Sequence, residues 1–198
     1  PFYAGLTAIS LAVLTVIYGI WNAFNIRITQ LIIPIKGLKK DVKAVHLTDI
    51  HIGHVRGKAF LQKVIDKTNA LSPEVVFVTG DLFDGKINLT QDTLTPFADL
   101  KMPVFFVEGN HDNSSGVQMI KGFLRNIGVH VLENQIAQWK ELQIVGLNHM
   151  SADHSRRNVH TAGRRQTIET TLPRLNIDSE KPTILLHHSP DGIKYASQ

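Results

Sequence analysis

The sequence predicts an α/β fold with central, largely parallel strands, preceded by one helix long enough to cross a membrane. Short apolar runs alternate with amphipathic stretches, and several of these runs end in polar residues. An uncharged segment occupies the first 24 residues. With 43% hydrophobic and 19% charged residues among 198, the composition is that of a folded protein with one domain of modest size.

Cysteine is absent, which excludes disulfides and thiolate metal sites. The formal charge of +4 is mild. It fits an anionic substrate or a membrane surface, and a solvated surface explains it equally well. A nuclease would need a strongly basic groove, and most of the positive excess lies close to the apolar segment instead.

The first element is the uncharged segment Phe2–Phe24. A helix needs roughly 20 apolar residues to cross a ~30 Å hydrocarbon core, so its 23 residues are long enough. A buried core helix and a signal sequence are the alternatives, but a signal sequence has a basic start and a shorter apolar core. We expect residues 1–25 to form a transmembrane helix.

Basic residues dominate the next stretch, from Arg27 to Lys43, which predicts that the following domain lies on the cytoplasmic side. Residues 26–41 alternate partly between apolar and polar side chains. This pattern predicts an extended lead-in strand, broken at Pro34 and followed by a turn at Gly37. Residues 42–198 then form the main domain.

That domain begins with three apolar runs, each followed by an amphipathic stretch. The predicted strands are Ala44–Leu47, Val75–Val78 and Val104–Val107, and the predicted helices are Lys58–Leu71, Thr90–Leu100 and Gly116–Ile127. Polar residues therefore fall at the carboxyl ends of neighbouring parallel strands, where open α/β sheets place their sites.

The later elements predict a second sheet. Three apolar runs follow one another without intervening helices: Val129–Leu132, Gln135–Trp139 and Leu142–Leu147. A polar loop is predicted over 151–166, a helix over Thr167–Leu172 and a last strand over Pro182–Leu186.

Four strand ends carry side chains that suit a metal site: Asp49-Ile50-His51, Gly80–Asp84, Gly109-Asn110-His111-Asp112 and His187-His188. Residues i and i+2 of an extended segment point to the same side, so Asp49 and His51 can converge on one ion. Carboxylate and imidazole together suit Zn, Mn or Fe better than Ca. Each piece alone is more often a turn or a surface feature, whereas the four together predict a site.

These motifs, with His188-x-Pro190, resemble in order those of the calcineurin-like metallophosphoesterases, over about Val42 to Asp191. A membrane segment before AVHLTDIHIGH is similar to the membrane-anchored branch, which includes bacterial enzymes that hydrolyse UDP-diacylglucosamine. The resemblance implies a four-layer α/β/β/α sandwich of two mixed sheets.

It also implies a binuclear centre of two divalent ions (Mn, Zn, Fe or Mg). Asp49 and His51 would bind the first ion, Asp81 would bridge, and Asn110 and His188 would bind the second. By the same resemblance, His111 is a general acid or a phosphate-contacting group, and Asp112 orients it.

Two departures from the family pattern stand out. A Gly-His-x-His motif, expected after His188, is absent up to Gln198, so we expect a C-terminally truncated fragment of a longer protein. Asn148-His149 stands where many relatives carry acidic residues, which affects substrate contacts and not the metal core.

The leading hypothesis is a membrane-anchored, metal-dependent phosphoesterase that hydrolyses a phosphate ester or pyrophosphate bond of a lipid-linked or nucleotide-linked substrate. The alternative is a catalytically silent, membrane-anchored binding module on the same fold. His54 and the arginines of the polar loop (Arg156, Arg157, Arg164 and Arg165) are secondary candidates for a second phosphate or a lipid headgroup, and a solvated basic loop is the favoured interpretation.

Overall fold

The structure is a computed structural model that describes residues 2–84, 90–112, 116–154 and 166–196. The chain forms two compact units, residues 1–33 and 34–198. The boundaries predicted for the domains, at residues 25 and 41, stay predictions.

The first unit contains helix α1, Phe2–Phe24, whose bounds equal those of the uncharged segment. Its length and composition suffice to cross a membrane. None of its residues is buried. The hydroxyls of Thr7 and Thr15 donate to the carbonyls of Tyr3 and Leu11 four residues earlier. The helix thus satisfies these polar groups internally, as a lipid environment requires.

The predicted lead-in strand is wrong. Residues 25–35 have no regular secondary structure, since their backbone finds no neighbouring strand to pair with. The predicted turn at Gly37 is confirmed. Leu38 N donates to Ile35 O at 3.2 Å, and Gly37 has a φ of 83°, a conformation that favours glycine.

The first sheet is wholly parallel within the described residues. Its strands, in spatial order, are β1 (Ala44–Leu47), β2 (Val75–Thr79), β3 (Val104–Val107) and β4 (His130–Val131). Helix α2 (Lys58–Ala70) connects the first pair, and α4 (Val117–Asn126) precedes β4. Parallel neighbours need such crossovers.

The connection between β2 and β3 differs from the single helix predicted over Thr90–Leu100. It consists of α3, Gln91–Leu94, and a 3₁₀ helix, Thr95–Asp99. Pro96 stands near the start of the 3₁₀ turn, where its missing N–H and its ring disfavour continuation of the α-helix.

The second sheet is mixed. Strand β5 (Gln135–Trp139) pairs antiparallel with β6 (Leu142–Gly146), and β7 (Thr183–Leu186) pairs parallel with β6. Helix α5, Ile168–Thr171, precedes β7 and begins with a capping box formed by Thr167 and Thr170. A last short helix, α6, covers Ile193–Ala196.

The two sheets pack face to face around an apolar core. Its buried members are Val75, Phe77, Phe105, Val107, Leu132, Ile144 and Leu186. Side chains alternate along a strand, so the equally buried Val76 and Val78 point to the other face of the first sheet, toward the helices. A second cluster places α5 on the outer face of the second sheet through Val145, Ile168 and Leu172. These layers confirm the predicted α/β/β/α order, with one parallel and one mixed sheet instead of two mixed ones. The run Val129–Leu132, predicted in the second sheet, contributes β4 to the first sheet, where it pairs with β3.

Candidate metal centre

The predicted site lies where the carboxyl ends of the parallel strands meet. Backbone hydrogen bonds join the segments after β1 and β2: Asp49 N donates to Gly80 O at 3.2 Å, and His51 N donates to Asp81 O at 3.0 Å. These bonds continue the ladder beyond the strands. They hold the side chains of Asp49, His51 and Asp81 along one edge.

Left-handed backbone conformations occur at the same three residues. The φ angles of Asp49, His51 and Asp81 are 53°, 50° and 49°. Such conformations cost non-glycine residues about 1–3 kcal/mol each and cluster at functional sites. The ladder bonds hold these residues in the strained form.

The first group of side chains consists of Asp49, Asp81 and His188. One ligand atom from each lies within 4.8 Å of the others. Asp81 is 3% exposed, and its Oδ2 lies 3.4 Å from His188 Nε2. The same oxygen lies 3.7 Å from His51 Nε2, which is itself 3.6 Å from Asp49 Oδ1. Asp81 therefore occupies the centre of the site.

His188 is oriented by the neighbouring sheet. Its Nδ1 lies 2.8 Å from Thr79 O, so the proton on Nδ1 is donated to that carbonyl and Nε2 faces Asp81. Histidines that ligate metals usually donate their second N–H in this way. The hydrogen bond to Asp81 raises the pKa of His188 to about 9, although burial opposes this effect. Nε2 thus points at an anionic cluster that favours a positive charge.

The second group consists of His51, Asp84 and His111, again with ligand atoms within 4.8 Å. Asp84 Oδ1 lies 3.5 Å from His111 Nδ1 and 4.0 Å from His51 Nδ1. The two imidazole rings meet edge to face at 5.0 Å. Sequence reasoning gave Asp84 no role, although it belongs to the acidic run after β2 and stands three residues beyond Asp81.

The role predicted for Asp112 stays a prediction, and its surroundings indicate a structural role. This residue is 0% exposed and accepts backbone hydrogen bonds from Phe83 N at 3.1 Å and Gly109 N at 2.8 Å. Both carboxylate oxygens therefore accept main-chain N–H groups. Burial raises the pKa of Asp112, opposed by these same hydrogen bonds. Asp112 ties the turn after β3 to the segment after β2, and Asp84 is the carboxylate beside the imidazole.

Asn110 lies half-buried in the turn after β3, one residue before His111. The backbone N–H of His111 donates to Asp81 Oδ1 at 2.9 Å. This bond fixes the turn against the central carboxylate. The ligand role of Asn110 stays a prediction.

Two further histidines lie behind His188. The ring of His149, 3% exposed, meets the His188 ring edge to face at 5.7 Å and lies parallel to the His187 ring at 6.1 Å. His187 Nδ1 lies 2.7 Å from Ser189 O, and burial lowers the pKa of His187. Sequence reasoning gave His149 no role, because the contact joins the ends of β6 and β7, which are distant in the chain.

Exposure increases from the floor of the site to its rim. The side chains of Asp81 and His188 are 5% and 11% exposed, those of His111 and Asp84 40% and 61%. His111 and Asp84 therefore form part of the solvent-facing rim of the site. The arginines predicted as secondary candidates lie between residues 155 and 165, outside the described residues.

Comparison with known proteins agrees with this geometry. The sequence profile of the family described as calcineurin-like phosphoesterase matches residues 42–198. An uncharacterized metallophosphoesterase of Helicobacter pylori (strain J99) is 29% identical over 161 residues, which cover 79% of this chain and 41% of that protein. A zebrafish (Danio rerio) transmembrane protein with metallophosphoesterase domain is 27% identical over 207 residues, which cover 96% of this chain and 46% of its own length.

An uncharacterized metallophosphoesterase of Aquifex aeolicus is 27% identical over 194 residues, which cover 93% of this chain and 72% of that protein. The chain spans less than half the length of the Helicobacter and zebrafish relatives. The family match extends over the whole of the two-sheet domain and includes the strand ends that carry the site. The chain therefore belongs to the calcineurin-like phosphoesterase family.

Proposed function

We propose that this chain is the metal-binding part of a membrane-anchored phosphoesterase that uses two divalent ions. The observation that carries the proposal is the position of Asp81 Oδ2, 3.7 Å from His51 Nε2 and 3.4 Å from His188 Nε2. One carboxylate thus faces a histidine assigned to the first ion and a histidine assigned to the second. That is the arrangement a bridging ligand requires.

The donor set fits divalent cations. Asp49, Asp81 and Asp84 bring three carboxyl groups to one edge, together with imidazole nitrogens. Without cations this cluster would repel an anionic phosphoester. Mixed oxygen and nitrogen donors suit Mn, Zn or Fe better than Ca.

Asp49 and His51 would hold the first ion, Asp81 would bridge, and Asn110 and His188 would hold the second. The bound ions supply a water of lowered pKa and positive charge for the phosphoryl oxygens. In this scheme Asp81 fixes the spacing of the ligands, and Thr79 keeps the Nε2 lone pair of His188 directed at the centre.

His111 stands at the rim and is suited to give a proton to the leaving oxygen. Asp84 Oδ1, 3.5 Å from His111 Nδ1, holds the ring so that Nε2 faces the substrate. A positioned general acid of this kind contributes about 10²–10⁴-fold to the rate.

Helix α1, proposed as a membrane anchor, supports a substrate that is located at the membrane. Residues 27–43 carry five basic residues and one acid, which favours a cytoplasmic position for the catalytic domain. Anchoring keeps a soluble active site close to lipid-linked or nucleotide-linked phosphoesters. This substrate class is part of the proposal.

The test is Asp81→Asn in the intact, detergent-solubilised protein. Mn-dependent hydrolysis of bis(p-nitrophenyl) phosphate should fall at least ~10²-fold, and metal analysis should find two ions in the wild type and fewer in the variant. Asp66→Asn, an exposed acid on α2, is the matched control and should leave both unchanged. Wild-type activity in Asp81→Asn would refute the bridging role, and a wild type that binds metal without turnover would favour the silent binding module.

A further inference from the structure

A buried ion pair lies directly behind the turn that carries Asn110 and His111. Glu108, which follows β3, is 1% exposed, and Lys121 of α4 is 2% exposed. Lys121 Nζ lies 2.5 Å from Glu108 Oε2. A buried pair of this kind adds little net stability compared with apolar residues of similar size. Glu108 lies two residues before Asn110, which suits the pair to a role in the geometry of the site.

Lys121 binds a second carboxylate as well. Its Nζ lies 2.6 Å from Glu133 Oε1, and Arg125 pairs with the other oxygen of Glu133. Glu133 follows β4, whereas Glu108 follows β3. The single ammonium group of Lys121 thus joins the ends of two neighbouring strands.

From Glu133 the contacts lead to the second sheet. The next residue, Asn134, accepts the backbone N–H of Asn148 on its Oδ1 at 2.9 Å. Asn148 precedes His149, whose ring packs edge to face against His188 at 5.7 Å. A continuous path of described contacts therefore runs from Glu108, beside Asn110, to His188.

We propose that Lys121 is a positioning residue that sets the separation of Asn110 and His188. The proposal rests on the proposed function, because it takes these two residues as the ligands of the second ion. Asn110 belongs to the first sheet and His188 to the second, and an apolar core lies between the sheets. Apolar packing is non-directional, so hydrogen bonds must add the precision that an ion requires. The bond between His188 Nδ1 and Thr79 O orients the His188 ring, and the bonds from Lys121 to two carboxylates fix the strand ends that carry Asn110 and lead to Asn148.

Lys121 does not contact substrate in this scheme, because its side chain is 2% exposed. Its effect reaches the ion through Glu108 on one side and through Glu133 and Asn134 on the other. Asp49 and His51, which would hold the first ion, follow β1 and lie outside this path. Loss of the network should therefore weaken the binding of one ion and spare the other.

The test is the double variant Glu108→Leu/Lys121→Leu in the intact protein. Replacing both partners leaves no unpaired buried charge, so the fold should persist. Stepwise calorimetric titration with Mn²⁺ should show a second-ion Kd that is weakened ~10–100-fold, as for other residues that orient metal ligands. The first-ion Kd should be unchanged, and kcat should fall with little change in KM.

The matched control is Lys58→Leu/Asp92→Leu, which removes an exposed ion pair of the same type, with an N–O distance of 2.6 Å. It should leave both Kd values unchanged. If the role of Lys121 were purely structural, the double variant would lose thermal stability, and the binding of the two ions would be affected alike. Selective loss of the second ion at unchanged melting temperature is the result that supports positioning.

A second variant keeps the inference testable if the double variant does not fold. Glu133→Gln removes one arm of the network at a side chain that is 28% exposed, and it leaves the Lys121–Glu108 pair intact. Glu133→Gln should weaken the binding of the second ion several-fold. An unchanged second-ion Kd in whichever variant folds would overturn the inference while the proposed function stands. A wild type that binds fewer than two ions would instead refute the proposed function, and this inference with it.

Discussion

Gly80 and Gly109 lie so close together that neither position has room for a side chain. A Cβ on Gly80 would be 2.3 Å from Gly109 N, and a Cβ on Gly109 would be 2.2 Å from Asp81 Oδ1. Contacts below 3.0 Å force atoms to move. The turns after β2 and β3 are therefore packed backbone to backbone, and the central carboxylate lies against the second of them.

Gly109→Ala should disable the site and also strain the backbone after β2, because the added Cβ would lie 2.2 Å from Asp81 Oδ1 and 2.4 Å from Asp81 N. The added methyl group meets the Asp81 carboxylate itself, so this group must leave its place between His51 and His188. We expect Mn²⁺ affinity and phosphodiesterase activity to fall at least ~10-fold each, measured by calorimetry and by hydrolysis of an aryl phosphodiester.

Gly122→Ala is the matched control. Gly122 lies within α4, and nothing lies within 4 Å of a Cβ added there. Alanine should stabilise the helix by about 0.5–1 kcal/mol and leave metal binding intact. If Gly109→Ala bound Mn²⁺ like the wild type, the close packing of the two turns would not matter to the site.

Asp84→Asn should lower activity, whereas Asp112→Asn should lower stability. Asp84 is 61% exposed and faces the His111 ring, so Asp84→Asn should lower kcat by roughly 10²-fold and leave the melting temperature unchanged. Asp112 is buried and accepts two backbone N–H groups, so Asp112→Asn should lower the free energy of unfolding by about 1–3 kcal/mol. Steady-state kinetics and urea denaturation measure the two effects.

The comparison also tests which of the two acids orients His111. If Asp112→Asn reduced kcat at unchanged stability while Asp84→Asn had no effect, the role predicted for Asp112 would be supported.

Metal binding at His188 should depend on pH. In the metal-free protein the pKa of His188 is raised from 6.5 to about 9 by its hydrogen bond to Asp81. The protonated ring therefore stabilises the metal-free fold fully below pH 6.5, and this contribution is lost as the pH rises through about 9. A cation must displace that proton, so the affinity for the ion should rise about tenfold per pH unit across the same interval.

Calorimetry in two buffers of different ionisation enthalpy measures the protons released. At pH 7, about one proton should be released for each protein molecule that binds its second ion. His188→Gln removes the titrating group, and the melting temperature of the metal-free variant should lose its dependence on pH between 6.5 and 9. The same pH dependence in the variant would assign it to another residue.

These 198 residues contain no cysteine, so the labelling of one introduced cysteine can report on which side of the membrane it lies. A single cysteine at Lys40 should react with a membrane-impermeant maleimide only after the cells are opened, because the basic residues after α1 favour the cytoplasmic side. Ser10→Cys, near the middle of α1, should stay unlabelled in both conditions. Labelling of Lys40→Cys in intact cells would reverse the proposed orientation.

Much of the fold could be predicted because its strands are short, apolar and followed by polar turns. The runs at Val75 and Val104 begin strands where they were predicted to begin, since each is buried on both faces and reads as continuously apolar. The lead-in stretch near Ile28 and Leu31 shows the limit of the pattern. Its partial alternation resembles a strand, but only a neighbouring strand could pair with its backbone.

The site was predictable in its central residues and not in its supporting ones. Asp81 and His188 stand directly after apolar runs, so position alone marks them. The partner of His111 could not be chosen from sequence, because Asp84 and Asp112 both lie within three residues of a candidate ligand. In the structure Asp84 Oδ1 lies 3.5 Å from His111 Nδ1, whereas Asp112 accepts main-chain N–H groups.

The left-handed conformations of Asp49, His51 and Asp81 mean that the site opposes the stability of its own fold. Glycine adopts this conformation without strain, so changing any one of the three to glycine should relieve about 1–2 kcal/mol of strain while removing a candidate ligand. At Asp49, whose side chain is 52% exposed, relief of this strain should raise the melting temperature while the affinity for metal falls.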